Sequence, residues 1–346
     1  MRCPRPVPRV GHAARHRAIT AAGRALLGLA AACLGVAIAV SPAVADTKPE
    51  KPRLLVGLAG HTKSYLPLYV ARERTAIDEG IELELIAFAG GAQASAALIS
   101  GSVDIALASL DTLVSTAGAQ PGVRAFYGGF NQADFEWFAA PGVGTWEGLR
   151  GRTVAISAPG SLTDFLTRHV LRRYGLEKEV HLVSTGSPVV RWQALRAGRV
   201  DAAVLQGPPK LQALAAGFVR LGTQSNEIGP EWPTNVMFAR QEFLTTNPLT
   251  VRAFLRAHVR GLRIARSERA YGIQVLSRWL KYGTPEAEHA WEETVGGFDE
   301  RGRLPAAVMP LFWSIAVSAG EVEAPWPESR FLDRQLIDTF DRWAPR

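Results

Sequence analysis

The segments ALISGSVDIALAS (97–109) and ALRAGRVDAAVLQ (194–206) share the pattern A-L-x-x-G-x-V-D-x-A, 97 positions apart. In each copy the alanine and leucine suit the packing face of a helix. The glycine suits the C′ position of that helix, where a positive φ is needed. The small apolar residues after the aspartate suit a strand that lies close to a helix. The repeat therefore predicts two related α/β units.

The chain around this repeat alternates strand-like and helical runs. Strand-like runs occupy 53–59, 81–88, 103–109, 152–157, 180–185 and 200–206, and helical runs separate them. The helix after 157 has a capping-box spacing at Ser161 and Asp164. Such alternation predicts βαβ units around mostly parallel sheets. After Asn235 the pattern becomes helical, so we expect a tail of helices packed outside the two units.

The first 45 residues are typical of a secretory signal peptide. They contain six arginines, no acidic residue, the apolar run 25–40 and small residues before Asp46. We predict cleavage after Ala45 and a periplasmic location. A retained membrane anchor fits less well, because a bilayer span needs roughly 20 residues. Lipidation of Cys33 is a third alternative, but the residues before and after it do not suit a lipidation site.

Loss of this segment changes the charge balance. The 39 basic residues fall to 33 when its six arginines are removed, against 32 acidic residues, so the basic composition does not indicate nucleic-acid binding. Cys3 and Cys33 both lie in the predicted leader, which leaves no cysteine for a disulfide, a thiolate metal site or a nucleophile. The remaining 301 residues are enough for one large or two medium domains.

Catalytic motifs are absent. The chain contains no G-x-S-x-G, H-E-x-x-H, G-x-x-x-x-G-K-[ST] or G-x-G-x-x-G, and no two histidines outside the leader stand four apart. We therefore predict no catalytic residue, no metal and no cofactor.

The predicted sheets locate a ligand site. Ligands of open α/β sheets bind beyond the carboxyl ends of the strands, beside helix N-termini. This rule selects the loops 59–65, 89–93, 109–111, 157–163, 184–191 and 206–210. These loops are rich in Gly, Ser and Thr, and suit a small anion or an oxygen-rich group. His61 and Lys63 suit solvated loop charges equally well.

Seven segments, in order, resemble the nitrate/sulfonate/thiamine-precursor group of periplasmic solute-binding proteins of ABC importers. They are LPLYVA (66–71), GIELEL (80–85), AALISGSVDIA (96–106), WEGLRGRTVAIS (146–157), QALRAGRVDAA (193–203) and FLTTNPLTVRAFLRA (243–257), preceded by the strand at 53–59. The resemblance covers residues 53–265, and its specificity lies in the order and spacing of the segments.

The resemblance implies a two-lobed periplasmic-binding-protein fold of type II, with two mostly parallel sheets flanked by helices and a helical C-terminal tail. The expected domains are 46–138 with 239–346 as lobe I and 139–238 as lobe II, with crossings near 136–140 and 236–239. The lobes would close on a small solute and deliver it to a membrane permease, the protein acting as a monomer.

The loops and the resemblance together give the candidate ligand contacts. These are His61, Lys63, Ser64, Tyr65, Gly91, Ala92, Gln93, Ser109, Asp111, Gly160, Ser161, Thr163, Ser187, Arg191 and Gln206. Many relatives have an acidic residue and a proline after V-D-A, where this chain has Gln206 to Pro209, so the solute cannot be inferred from them. The alternatives are an enzyme on the same fold, either pyrimidine-forming or dehydratase-like, and the sensing domain of a receptor.

Overall fold

Two five-stranded mixed sheets organise the chain. The computed structural model describes residues 48–132 and 134–346, so the predicted leader lies outside the described residues. The strand order is β2-β1-β3-β10-β4 in the first sheet and β7-β6-β8-β5-β9 in the second. The strands are β1 (Arg53–Leu58), β2 (Glu82–Ala87), β3 (Ile105–Ala108), β4 (Val123–Gln132), β5 (Glu136–Ala139), β6 (Thr153–Ile156), β7 (His181–Ser184), β8 (Ala202–Leu205), β9 (Val219–Thr223) and β10 (Glu231–Arg240).

Helices connect the strands and form the C-terminal part of the chain. They are α1 (Leu66–Val70), α2 (Gly91–Ile99), α3 (Leu110–Ala119), α4 (Leu162–Arg173), α5 (Pro188–Arg196), α6 (Pro208–Ala215), α7 (Gln224–Glu227), α8 (Gln241–Thr246), α9 (Pro248–Ser267), α10 (Arg269–Leu280), α11 (Thr284–Thr294), α12 (Met309–Ser318), α13 (Gln335–Asp338) and α14 (Phe340–Trp343). The capping box is confirmed, because Ser161 Oγ accepts a hydrogen bond from Asp164 N at 3.4 Å.

One strand of each sheet is supplied by the other half of the chain. β5 follows β4 of the first sheet, yet it pairs antiparallel with β8 and β9 of the second. β10 follows β9 of the second sheet, yet it pairs antiparallel with β3 and β4 of the first. Four strands of each sheet therefore run in one direction, as the prediction of mostly parallel sheets requires, and the crossing strand opposes them. The chain passes between the sheets once between β4 and β5 and once between β9 and β10.

The repeated V-D motif aligns equivalent strands in the two sheets. Asp104, before β3, accepts a hydrogen bond from Leu55 N of β1 at 3.0 Å and pairs with Lys51 at 2.6 Å. Asp201, before β8, accepts hydrogen bonds from Thr153 N and Oγ1 of β6 at 2.9 and 2.8 Å, and its other oxygen lies 3.0 Å from Arg152. The repeated aspartates thus fix parallel strand pairs and do not face a ligand.

The glycines of the repeat adopt the predicted conformation. Gly101 has φ 79° and Gly198 has φ 66°, both in the left-handed region. Each ends a helix just before the strand that carries the aspartate, so the same sequence feature makes the same turn twice.

The long C-terminal helix α9 packs on the side of the first sheet, whereas α12 also contacts α4, with the ring centroids of Phe312 and Phe165 6.0 Å apart. α9 lies against α1 so closely that a Cβ on Gly261 would stand 2.3 Å from Pro67 O. The run 330–343, whose pattern predicts a helix, instead begins with a bridge between Leu332 and Ala125 of β4 and then forms the short helices α13 and α14. Within residues 48–132 and 134–346, no helix has the length and apolar character needed to cross a membrane.

Candidate functional site

A cavity of about 520 Å³ lies where the carboxyl ends of both sets of parallel strands meet. All six loops selected by the sequence contribute to its wall. The first sheet provides loops after β1, β2 and β3, and the second provides loops after β6, β7 and β8. The two crossing segments close the space between them, with Phe135 and Asn235 in the lining.

The structure brings ten of the fifteen candidate contacts to this cavity. They are His61, Ser64, Tyr65, Gly91, Ser109, Ser161, Thr163, Ser187, Arg191 and Gln206. The other five do not line it. Lys63 faces a neighbouring polar crevice, Asp111 and Gly160 line a third crevice, and Ala92 and Gln93 lie on the first turn of α2.

Arg191 is the distinctive charge of the cavity. Its side chain is buried, with 1% of the residue exposed. Its Nε donates to Val204 O at 2.6 Å, and its guanidinium also donates to Gly186 O. No carboxylate in the described part of the chain lies within ion-pair distance of it. Burial without a counter-charge lowers the pKa of Arg191 to about 9.

Hydrogen-bond donors surround the cavity. The helices α2 and α3 both begin at it, and the N-terminus of α2 has no side-chain cap, which leaves its backbone N–H groups free for an anion. On the opposite wall, Ser157 Oγ lies 2.7 Å from Ser161 Oγ and 2.8 Å from Thr163 Oγ1. Such hydroxyls can turn toward a bound oxygen atom.

One side-chain acceptor in the wall lacks a partner. The Oε1 atom of Gln206 is buried and makes no hydrogen bond. A buried polar atom without a partner costs free energy, so it favours a bound group or a water that can pair with it.

The segment 279–282, at the end of α10, forms a wall that the loop rule could not identify. Trp279, Leu280, Lys281 and Tyr282 all line the cavity. Lys281 adopts φ 58°, the single non-glycine residue with a positive φ in the described ranges, and Ser277 Oγ donates to Tyr282 O at 2.7 Å, which holds the turn. Trp279 and Tyr282, on either side of the residue that ends the helix, were the available signal, but nothing in the sequence indicated that they line the cavity.

The acidic residue of the cavity lining forms ion pairs with two lysines. Asp134, the one carboxylate among the described lining residues, lies 3.0 Å from Lys63 Nζ and 3.2 Å from Lys210 Nζ. Lys210 Nζ also lies 3.4 Å from Glu293 of α11. Although burial opposes its charge, the carboxylates of Asp134, Glu293 and Glu136 raise the pKa of Lys210.

This group of charges, which we call the ion cluster, consists of Lys63, Asp134, Glu136, Lys210 and Glu293. Lys63 and Lys210 are 4% and 6% exposed, so Lys63 is not the solvated loop charge that the sequence also allowed. Lys63 precedes α1 on the side of the first sheet, whereas Lys210 lies in the first turn of α6 on the side of the second. The ion cluster therefore joins the two sides of the cavity.

His61 contributes an imidazole ring to the lining. Partial burial lowers the pKa of His61 below its usual value. Its ring lies 6.1 Å from that of Trp279, and Trp279 stacks on Tyr69 with ring centroids 4.5 Å apart. Within the ranges that the structure describes, no group of three or more His, Cys, Asp or Glu side chains could hold a metal ion.

Comparisons with known proteins agree with this architecture. The family model described as "NMT1/THI5 like" matches residues 63–269. A Bacillus subtilis protein provisionally named a binding protein, YtlA, is 27% identical over 246 residues, which cover 67% of this chain and 72% of that protein.

Solved structures with the same fold were also found. A protein of Bordetella bronchiseptica gives a TM-score of 0.72 at 22% identity, covering 85% of this chain and 98% of its own. The alkanesulfonate-binding protein SsuA of Xanthomonas axonopodis, solved with MOPS bound, gives 0.67 at 17% identity and covers 82% and 99%. At these identities the likeness establishes the fold.

Proposed function

The chain belongs to the NMT1/THI5-like family, and on that premise we propose that it is the extracytoplasmic solute-binding component of an ABC importer. Its solute is a small organic anion, a sulfonate or a carboxylate, that is held in the cavity and passed unaltered to a membrane permease. The exported protein acts as a monomer in the periplasm after removal of residues 1–45.

The observation that carries this proposal is the unpaired guanidinium of Arg191. A buried charge is costly unless it is paired, and the residues around the cavity supply no carboxylate for it. Sulfonate and carboxylate groups match a guanidinium in charge and in hydrogen-bond geometry. The uncapped start of α2 supplies further donors for the same anion.

The lining also favours an anion that carries an apolar part. Phe88, Phe135, Leu162, Val189 and Trp279 alternate with the hydroxyls and amides of the wall. Nitrate would leave these surfaces uncovered, whereas a butyl or phenyl group would bury them. A volume of about 520 Å³ accommodates a small organic molecule.

The mechanism of solute capture is closure of the two lobes around the cavity. We divide the exported chain into lobe I (46–138 with 239–346) and lobe II (139–238), except that the crossing strand β5 pairs within the sheet of lobe II and the crossing strand β10 within the sheet of lobe I. Arg191 and the 157–163 loop belong to lobe II, and the loops after β1, β2 and β3 belong to lobe I. A solute that contacts both lobes binds the closed state more tightly and shifts the population toward it.

A ligand panel tests the proposal. The purified protein is heated with butanesulfonate, benzenesulfonate, taurine, benzoate, nitrate or a pyrimidine, and its melting temperature is recorded. We expect stabilisation by an organic sulfonate or carboxylate, worth about 2.7 kcal/mol at a hundredfold excess over Kd. No shift with any sulfonate or carboxylate would contradict the proposal.

Two variants give the test its control. Arg191→Met should abolish the shift, whereas Arg196→Met, at an exposed position of the same helix, should preserve it. Mass spectrometry of the incubated solute distinguishes binding from catalysis. Recovery of unchanged solute fits a binding protein, and its conversion would establish the enzyme alternative.

A further inference from the structure

Asp111, a predicted ligand contact, lies outside the cavity and in a crevice of its own. The crevice measures about 230 Å³ and lies between α3, the start of α4 and the segment after α12. Asp111 is 6% exposed, and its Oδ1 atom has no hydrogen-bond partner. A buried, unpartnered carboxylate oxygen needs either a cation or a proton.

The charged groups that face Asp111 provide no free cation. From α4, Arg168 Nε is taken by Asp164 Oδ1 at 2.7 Å, and Gly160 N donates to the other oxygen of Asp164 at 2.8 Å. Glu177 accepts from Arg172 at 3.2 Å. These charged neighbours form ion pairs with one another, and none of them forms an ion pair with Asp111.

The remaining charged neighbour opposes ionisation. Glu321, in the segment after α12, lines the same crevice. Burial, and to a smaller extent repulsion by Glu321, raises the pKa of Asp111 to about 7, despite hydrogen bonds from Ser109 and the backbone. The described acidic residues of this crevice do not form a group able to hold a metal ion.

We propose that Asp111 is a proton-binding site coupled to closure, so that the protein takes up a proton when it binds its solute. The coupling rests on the proposed function. α3 follows β3 of the first sheet and α4 follows β6 of the second, so opening of the cavity separates them and hydrates Asp111. A hydrated Asp111 regains an ordinary pKa near 4, whereas closure raises it.

The sign of the pH dependence follows from this difference. The closed state binds the proton more tightly, so solute affinity rises as the pH falls below about 7 and levels off near pH 4. Above pH 7 the carboxylate is ionised in both states, and closure then carries the full cost of burying it. At its steepest, affinity changes about tenfold for each pH unit.

Calorimetry with an organic sulfonate tests the coupling. Butanesulfonate and benzenesulfonate keep their charge between pH 5 and pH 8.5, so any pH dependence comes from the protein. Titrations at pH 6 in two buffers of different ionisation enthalpy count the protons taken up, and we expect most of one proton for each solute. Affinity should improve at least tenfold from pH 8 to pH 5.5.

Three variants locate the proton. Asp111→Asn should remove the uptake and bind at pH 8 as tightly as the wild type does at pH 5.5. Glu321→Gln should move the profile to lower pH, and Glu323→Gln, an exposed neighbour outside the crevice, should not. His61 is unchanged in all three, so pH dependence that persists in Asp111→Asn would assign the proton elsewhere and overturn the proposal.

The outcomes separate this coupling from the proposed function. Tight binding with no proton uptake and a flat pH profile contradicts the coupling alone. Failure of every sulfonate and carboxylate to bind contradicts the proposed function, and the coupling is overturned with it.

Discussion

Replacement of Arg191 by methionine distinguishes two effects of the buried guanidinium. One is its cost to the free energy of folding, and the other is its contribution to solute affinity. Methionine retains most of the apolar stem and removes the guanidinium. The pKa of Arg191 falls from above 12 to about 9 in the folded protein. At about 1.4 kcal/mol for each pH unit, the charge costs the folded state on the order of 5 kcal/mol at pH 7, and this cost declines only as the pH rises past 9.

The substitution also removes stabilising contacts. The hydrogen bonds to Val204 O and Gly186 O are charge-assisted, each worth about 1.5–3 kcal/mol, so their loss costs about 3–6 kcal/mol. The two terms nearly cancel. We therefore expect the free energy of unfolding of the solute-free variant to lie within about 2 kcal/mol of the wild type, as for other buried ions replaced by apolar residues.

Solute affinity should respond very differently. Loss of a charge-assisted contact to an anion costs about 3 kcal/mol, which weakens binding by about 100-fold. Urea unfolding measures the first quantity, and calorimetry with benzenesulfonate measures the second. A variant destabilised by more than about 4 kcal/mol with its affinity unchanged would refute the reasoning, because Arg191 would then be a structural residue.

Three further substitutions, one of them with a matched control, test the ion pairs and packing of the fold. Lys210→Met should lower the free energy of unfolding by about 1–3 kcal/mol in urea, since it removes a buried cation that lies near Asp134, Glu136 and Glu293; a neutral result would show that the ion cluster is solvated. Gly261→Ala should cost about 2 kcal/mol, because its methyl group would meet a carbonyl oxygen at 2.3 Å, whereas Gly296→Ala has free space and should be neutral or slightly stabilising. Asp201→Asn should cost about 1–2 kcal/mol at pH 7. Burial raises the pKa of Asp201, but its donors and basic partner on the neighbouring strand lower it overall, so the difference from wild type should shrink as the pH falls below 4 and should not grow.

The sequence predicted best those parts of the fold that depend on neighbouring residues in the chain. Helix starts, left-handed glycines and apolar strands are decided by neighbouring residues, so the two α/β units and their loops could be predicted from the repeat. The carboxyl-end rule then located the cavity, because parallel strands place successive loops at one edge. β4 and β9 were missed, because glycines such as Gly128, Gly129 and Gly222 interrupt their apolar runs and weaken the strand pattern.

Long-range packing defined the rest of the site. Asp111 and Arg191 both follow strands by a few residues, and both fit the loop rule. Only the tertiary structure shows that Arg191 faces the cavity while Asp111 faces a crevice closed by the segment after α12. The wall at 279–282 comes from a helix far along the chain, where no local pattern indicates which surface it meets.

The ion cluster and Arg191 have opposite effects on closure of the cavity, and we expect this balance to make closure depend on a bound solute. The ion cluster joins the two sides through Lys210 and Glu293 and favours the closed state even when the cavity is empty. Arg191 is buried with hydrogen bonds to Val204 O and Gly186 O of its own lobe, and in the empty cavity its charge has no carboxylate partner. We expect an anion that pairs with Arg191 and also contacts lobe I to offset the cost of this buried charge in the closed state, which moves the balance toward that state and leaves the ion cluster intact. A neutral solute of the same shape would fill the cavity without relieving that cost, so charge discriminates between solutes more strongly than size does.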